Sequence, residues 1–441
     1  MTLETRARDG VAREEPAADH LDHADDADQA DHADHVDHAG VVAHAGLGSR
    51  PFPVEEYHER LARVHAAMRE RGLAALIVAD PANLYYLTGY NAWSFYMPQC
   101  LIIPADASPH LFARAMDAQG AHYTAYLSTT YVHGYPEHLV HRHDVHPYDW
   151  IAERALELGL FRDHADDVIG AELDAHFFSP RAFLSLHQRL TQAPIVDSHE
   201  LVNWVRVTKS PAEQEKMRVA GEIAQRVMEI AIDQVEPGRR QCDVVAHIQY
   251  AQTLGARKLG GDYPAIVPML PTGETAGTPH LTWSDLPLRA GEATTIELAG
   301  VHHRYHAPLA RTVSLGTPPP RLAHCAAATG EGMAAALETM RAGVPVSEVH
   351  RAFTRTIARE GLAKESRIGY SIGIGFPPDW GEHTISLRSE EETALEPGMA
   401  FHVILGMWMD GWGYEVSQPV IVHEDGVERL TDLPPELTVK L

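Results

Sequence analysis

A glutamate set in the middle of an apolar strand is the residue in this chain whose position most asks for chemistry. TTIELAGV places Glu297 between Ile296 and Leu298, where a carboxylate is costly unless something positive pairs with it. Such a group can hold a cation or attack an electrophilic carbon as a nucleophile. His280, in the Gly/Thr/Pro segment GETAGTPHLTW, is the side-chain type that moves protons near neutral pH. The loop FPPDWGEHT combines two backbone-restricting prolines with the flat face of Trp380 for a cationic ring and polar contacts from Glu382 and His383. YNAWSFYMP concentrates four aromatic residues, among them Trp93, which suit a cation-binding pocket. His302, His303 and His306 lie close in sequence, but strand alternation puts only His302 and His306 on one face, so turn surface is expected there rather than a metal cluster.

The elements that must position these residues are of two kinds. YHERLARVHAAMRERG sets Leu61, Val64 and Met68 on one helical face and stops at Gly72. LAALIVADP follows as a buried strand, Pro81-Ala82-Asn83 as a turn, and NLYYLTGYNAWSFYMPQCLIIP, rich in β-branched and aromatic residues, as a strand pair. A further strand and a proline-started helix come out of HADDVIGAELDAHFFSPRAFLSLHQRL. This alternation predicts an α/β domain over residues 50–205. A long amphipathic helix opens behind Ser210-Pro211. Within residues 206–441, TTIELAGV, ARTVSLG, MAFHVILGMW and QPVIVHE read as strands, with two helices separated by Gly343-Val344-Pro345, an α+β pattern.

With 441 residues, 45% of them hydrophobic, the chain can fill two or three packed domains, since single cores stop growing at roughly 250 to 300 residues. A net charge of −25 and the lack of any Lys/Arg run disfavour nucleic acid and anionic membranes as partners. No apolar run approaches the roughly 18 residues of a membrane span, and the first residues lack the apolar core of a secretory signal, so a cytoplasmic protein is expected. Residues 1–49, with HLDHADDADQADHADHVDHAG, are too poor in large apolar side chains to offset their ordering entropy and are read as a disordered tail, with weak metal capture as a lesser role. Cys100, Cys242 and Cys325 are too scattered for a disulfide framework or a zinc site and are expected as reduced buried thiols.

Four stretches carry a family resemblance. TIELAGVHHRYHAPLARTVSLG resembles the segment where metallo-aminopeptidases and prolidases of the pita-bread superfamily carry two metal-binding aspartates, and those positions here read Glu297 and Pro308. RIGYSIGI resembles the superfamily's Gly-His-Gly-Ile-Gly motif, with Tyr370 in place of the ligand histidine. LEPGMAFHVILG has Ile404 at the first ligand glutamate, whereas GYEVSQPVIV keeps the second as Glu415. VRVTKSPAEQEKMRVAGEIAQ is similar to the superfamily's linker and first long helix. The resemblance implies a creatinase-type N-terminal domain and a pita-bread catalytic domain, in a homodimer whose N-domain loop, with Trp93, reaches the partner's site. A catalytic divalent metal needs several N or O ligands in defined geometry, so Pro308, Ile404 and Tyr370 predict chemistry without a metal or other cofactor.

ELAGVHHRYHAPLARTV, GYSIGIGFPPDWGEHTISLR and GMWMDGWGYEVSQP more specifically resemble the ectoine hydrolases, which open the cyclic amidine of ectoine and hydroxyectoine to an N-acetylated diaminobutyrate. That resemblance implies Glu297 as nucleophile and His280 as the proton-transfer group. Glu415 would then hold an amidine nitrogen, and Tyr370 would donate to the developing adduct. A creatinase-like C–N hydrolase, an Xaa-Pro dipeptidase, an onium-compound lyase and an inactive member used as a binding protein stand as alternatives.

Overall fold

Strand β1 (Leu73–Val78) is buried at every position, as an apolar strand must be when both faces of its sheet are covered. It lies inside a mixed six-stranded sheet with β2 (Cys100–Pro104), β3 (His110–Arg114), β4 (Val132–Tyr135), β5 (Val168–Ala171) and β6 (Ile195–Asp197), in the order β4-β3-β2-β1-β5-β6. The structure, a computed structural model, describes residues 50–161 and 167–441, so the acidic His-rich tail lies outside the described residues.

The helix Val54–Glu70 buries Val64 and Met68 as expected, but Leu61 is only half-buried, and Tyr57 and Arg60 complete the inner face. Arg60 is tolerated there because its charge is answered: it donates to the Tyr86 carbonyl at 2.9 Å, lies 4.2 Å from the centre of the Phe52 ring, and pairs with Glu213 at 3.6 Å. The expected turn at Pro81-Ala82-Asn83 is instead the start of a helix, Pro81–Thr88. Asp80 accepts from the N–H groups of Ala82 and Asn83, and Pro81 occupies the first helical position, where no N–H is needed. Tyr85 and Tyr86 are therefore helical core residues, and the strand of that stretch is confined to Cys100–Pro104.

In the C-terminal half, β7 (Ala293–His302) and β8 (Tyr305–Leu315) form a hairpin in continuous register. They join β9 (Gly369–Phe376), β10 (Asp379–Ser386), β11 (Ala400–Met409), β12 (Trp412–Val422), β13 (Val427–Arg429) and β14 (Thr438–Lys440) in a curled eight-stranded sheet. Its main path runs β13-β12-β11-β9-β8-β14, with β10 on β9 and β7 on β8. The long helix Pro211–Gln234, capped by Ser210 as expected, packs on β7 and β8. The approach is close enough that a methyl group at Gly300 would overlap the carbonyl of Ala220 and the backbone of Ala224. Pro320–Thr339 and Val346–Arg359 pack on one another on either side of the predicted break, and the first also covers β12. The architecture is a creatinase-type α/β domain followed by an α+β pita-bread domain. Cys100 and Cys325 are buried free thiols, whereas Cys242 is only partly buried. No described helix is long and apolar enough to cross a membrane.

Candidate active site

The curled sheet encloses a cavity of about 610 Å³ between β7, the β11–β12 pair and the segment leading into β9. Glu297, Glu415, Tyr370 and His280 all line it. Strand alternation is what turns the Glu297 carboxylate there, because Ile296 and Leu298 point from the other face of β7 into the apolar core. Glu415, opposite Gly406 in the β11–β12 ladder, brings a second carboxylate. His280 stands exposed in the cavity wall with its backbone in the left-handed region at φ 66°. His176 joins the lining from the N-terminal domain.

Neither carboxylate makes a hydrogen bond or contact ion pair with another described side chain, although Glu297 and Glu415 are only 7% and 3% exposed. Burial raises both. Desolvation, with the charge of Asp379 behind it, pushes Glu297 up to about 7. Desolvation and the proximity of Glu297 raise Glu415 well above the carboxylate range, against the pull of Lys364. Lys364 is pushed down to about 8 by its own burial. Burial also opposes ionisation of Asp379, but the hydrogen bond to His383 at 2.9 Å and the Gly381 N–H at 3.0 Å outweigh it and hold Asp379 below its usual range. The walls therefore carry two carboxyl groups whose ionised forms lack a cation in contact, so a bound cation would favour their charge.

The raised Glu297 has a thermodynamic consequence. Its neutral form is favoured in the fold, so its contribution to stability is complete below the unfolded value of 4.5 and is lost as pH rises through about 7. Glu297→Gln removes that loss. Thermal unfolding of the variant should match wild type near pH 5 and exceed it by roughly 2–5 °C at pH 8; an equal shift at both pH values would show that Glu297 does not titrate in this way.

Tyr370 is held from two sides. Trp380 Nε1–H donates to its hydroxyl oxygen at 2.8 Å, and His402 Nδ1 lies 3.1 Å from the same oxygen. An indole N–H can only donate, so it leaves the tyrosine proton free for His402 or the cavity. His402 Nε2 is 2.7 Å from Ser417 Oγ, and burial, with Arg367 adding to it, pushes His402 down to about 3, so the ring is neutral.

The remaining candidate site residues from sequence lie off the lining of this cavity. Trp380 is fully buried in an apolar cluster with Ala265, Ala299 and Val301 and presents no face to the cavity. Glu382 is buried against Lys209 at 2.6 Å and Arg206 at 3.4 Å and does not line the cavity. His383 serves Asp379 instead of lining the cavity, and it is Pro378 and Asp379 through which that loop reaches the site. Trp93 is 57% exposed and stands edge-on to Tyr263, outside its own chain's cavity. The chain reverses at His303-Arg304, so His306 pairs across from Val301, on the opposite face from His302, and is buried between the Ala265 N–H and the Arg304 carbonyl. Lys364, Arg367, Asp379 and His402 were not singled out from sequence. The only signals were the nearness of Lys364, Arg367 and Asp379 to the Tyr370 and Trp380 motifs and the place of His402 two residues before Ile404.

These residues do not fit a metal centre of the superfamily type. Pro308 and Ile404 carry no donor atom, the Tyr370 oxygen is engaged by Trp380, and the packing of Trp380 on Ala299 and Val301 puts an apolar wall on the hairpin. Among the described residues, no group of three or more His, Cys, Asp or Glu side chains is arranged to hold a metal ion.

The creatinase/prolidase N-terminal domain family matches residues 60–208, and metallopeptidase family M24 matches residues 215–424. The chain is 42% identical to the ectoine hydrolase of Halomonas elongata, over 89% of this chain and 99% of that protein. It is 38% identical to the uncharacterized hydrolase/peptidase y4tM of Sinorhizobium fredii, over 88% and 98%. Similar folds are the dipeptidase PepE from Mycobacterium ulcerans, at TM-score 0.72 and 24% identity over 89% and 99% of the two chains, and the prolidase from Thermococcus sibiricus, at TM-score 0.75 and 19% identity over 87% and 99%. With a cavity built on the superfamily's sheet and a near-full-length relative of this similarity, the chain belongs to the ectoine hydrolase family within the creatinase/prolidase-like M24 superfamily of hydrolases.

Proposed function

We propose that this protein is a cytoplasmic, metal-independent hydrolase that opens the cyclic amidine of ectoine, or of its hydroxylated form, to an N-acetylated diaminobutyrate. The observation that carries the reading is the pair of buried carboxylates, Glu297 and Glu415, facing one cavity with no positive partner in contact. A protonated amidine supplies that missing charge, and its carbon is electrophilic because the charge is shared over two nitrogens. Binding it also restores the ionised form of Glu297, since an adjacent cation favours the carboxylate.

In the proposed mechanism a Glu297 carboxylate oxygen bonds to the amidine carbon, and the C=N electron pair moves to nitrogen, giving a covalent tetrahedral adduct. Glu415 holds an amidine nitrogen, and the Tyr370 hydroxyl donates to the adduct. The adduct collapses with one ring C–N bond broken, the departing nitrogen taking a proton from His280. Water then adds to the same carbon and returns a proton to His280, and the Glu297–carbon bond breaks, which frees the carboxylate and leaves the water's oxygen in the acetyl group. Balance is one water consumed for one ring C–N bond opened. A peptidase reading is weakened by Pro308, Ile404 and Tyr370 at ligand positions. A homodimer in which Trp93 lines the neighbour's cavity belongs to the same proposal, supported by the exposure of that indole.

The test is proton NMR of ectoine incubated with chelator-treated protein. The acetyl signal of the open chain should appear without added metal, at a rate that zinc or manganese does not raise. Ectoine that stays intact with and without those metals sinks the proposal, and turnover that depends on them sinks its metal independence.

A further inference from the structure

The cavity that holds two unanswered carboxylates also holds a cation with no contact ion pair, Arg367. It sits in the exposed segment just ahead of β9, with its guanidinium 4.4 Å from the centre of the Tyr370 ring and Nη1 donating to Ser386 Oγ at 3.1 Å. Those two contacts fix the plane of the fork. Its Nε and Nη2 donors have no partner among the described residues. Lys364, the other cation in the lining, is committed differently: its ammonium donates to the Gly406 carbonyl at 2.7 Å and to Ser366 Oγ at 2.8 Å, and it lies within electrostatic range of Glu415.

Carboxyl groups with no cation in contact and a guanidinium with no anion in contact, on one cavity, suit a zwitterionic ligand. We propose that Arg367 is the residue that recognises the ring carboxylate of the substrate, and that by pinning this end of the molecule it decides which ring C–N bond breaks. The inference rests on the cyclic-amidine reading above and deepens it. A planar guanidinium with two free donors matches a carboxylate in bidentate geometry, which an ammonium cannot do. The orienting role follows from the substrate's chemistry. The two amidine nitrogens differ only in that one is bonded to the carbon bearing the carboxylate. A site that held the amidine alone would accept the ring in either sense. With the carboxylate on Arg367 the ring enters in one sense, one nitrogen faces the proton donor, and a single acetyl isomer leaves.

The experiment compares wild type with Arg367→Gln and Arg367→Lys on ectoine and on the same methylated cyclic amidine lacking the carboxylate, with the acetyl isomers resolved by NMR. Wild type should release one dominant isomer and prefer ectoine. In Arg367→Gln the KM for ectoine should rise on the order of 10- to 100-fold, the preference over the decarboxylated ring should fall by the same factor, and the isomer ratio should move toward parity, with partial return in Arg367→Lys. An unchanged isomer ratio, or an equal loss on both rings, overturns the inference. If wild type opens neither ring, the hydrolase reading falls on its own and calorimetric binding of the two rings decides about Arg367. A wild-type preference for ectoine that Arg367→Gln abolishes sustains the assignment. No preference, or one the variant keeps, overturns it.

Discussion

Glu297→Gln is expected to lower kcat on ectoine by at least about 10⁴-fold, the scale on which loss of a nucleophile is felt when it acts as one unit with its proton donor. The substitution keeps the size and shape of the side chain, so the hairpin β7–β8 and its contacts with the helix Pro211–Gln234 remain. On the proposed mechanism what disappears is the anionic oxygen that bonds to the amidine carbon and the charge that holds the amidinium, so KM should rise as well. The same group sets the pH dependence. With Glu297 at about 7 in the free protein, kcat/KM should fall below pH 7 as the nucleophile takes a proton. In the bound state the amidinium favours the ionised carboxylate, so the acid limb of kcat should lie at lower pH than that of kcat/KM. More than about 1% residual activity in the variant would move the nucleophile away from Glu297. A binding protein without activity would keep its partner through the same substitution. Since the variant is also expected to be more stable at alkaline pH, loss of activity cannot be traded for loss of fold.

The second large effect is on stability. Glu382→Ala should destabilise the fold by about 3–5 kcal/mol, the cost of leaving a buried charge unpaired, and lower Tm by on the order of 5–15 °C. Glu382 answers two cations at once: Lys209 Nζ at 2.6 Å and Arg206 Nη1 at 3.4 Å, with all three side chains at most 3% exposed. Lys209 also donates to the Val207 carbonyl and Arg206 to the Ile374 carbonyl, so both remain anchored inside when the carboxylate is gone. The burial that already pulls Lys209 down is then opposed by no anion in contact. Replacing both partners, as Lys209→Met with Glu382→Leu, should recover most of the loss, because the cost lies in the unpaired charge and not in the missing attraction. A substrate contact would behave oppositely. If Glu382→Ala raised KM for ectoine and left Tm in place, the glutamate would belong to the ligand, as its loop had suggested from sequence.

That contrast shows where local pattern stops being informative. Trp380, Glu382 and His383 share a loop with Asp379, which composition marked as part of the site, and Pro378 and Asp379 of that loop line the cavity. Which of its side chains arrive there depends on the strand β10, whose alternation sends Trp380 and Glu382 inward and leaves Asp379 to the site. Likewise the helix at Pro81–Thr88 looked like turn and strand because its aromatic residues suit either. Only the Asp80 cap and the packing of Tyr85 and Tyr86 decide for helix. Arg367 could not be chosen among the chain's arginines, since an arginine is defined as a site residue by what it lacks in contact, and contact is tertiary.

Much was nevertheless set by residue type alone. A carboxylate between isoleucine and leucine in an apolar strand has to be answered by something, and the side chains of Pro308 and Ile404 offer no lone pair whatever the fold does; those statements need no coordinates, and the two kinds of element divide the chain into an α/β and an α+β part, whereas the pita-bread topology, the ligand positions and the nucleophile role came with the family resemblance. What only the tertiary structure decided is partnership: that Glu297 and Glu415 face one cavity unpaired, that Glu382 does not, and that Tyr370 is oriented by Trp380 and His402. Charge and burial couple through distance, and distances between residues far apart in sequence, such as Glu297 and Glu415 or Lys209 and Glu382, are made by the curl of the sheet and not by any local spacing.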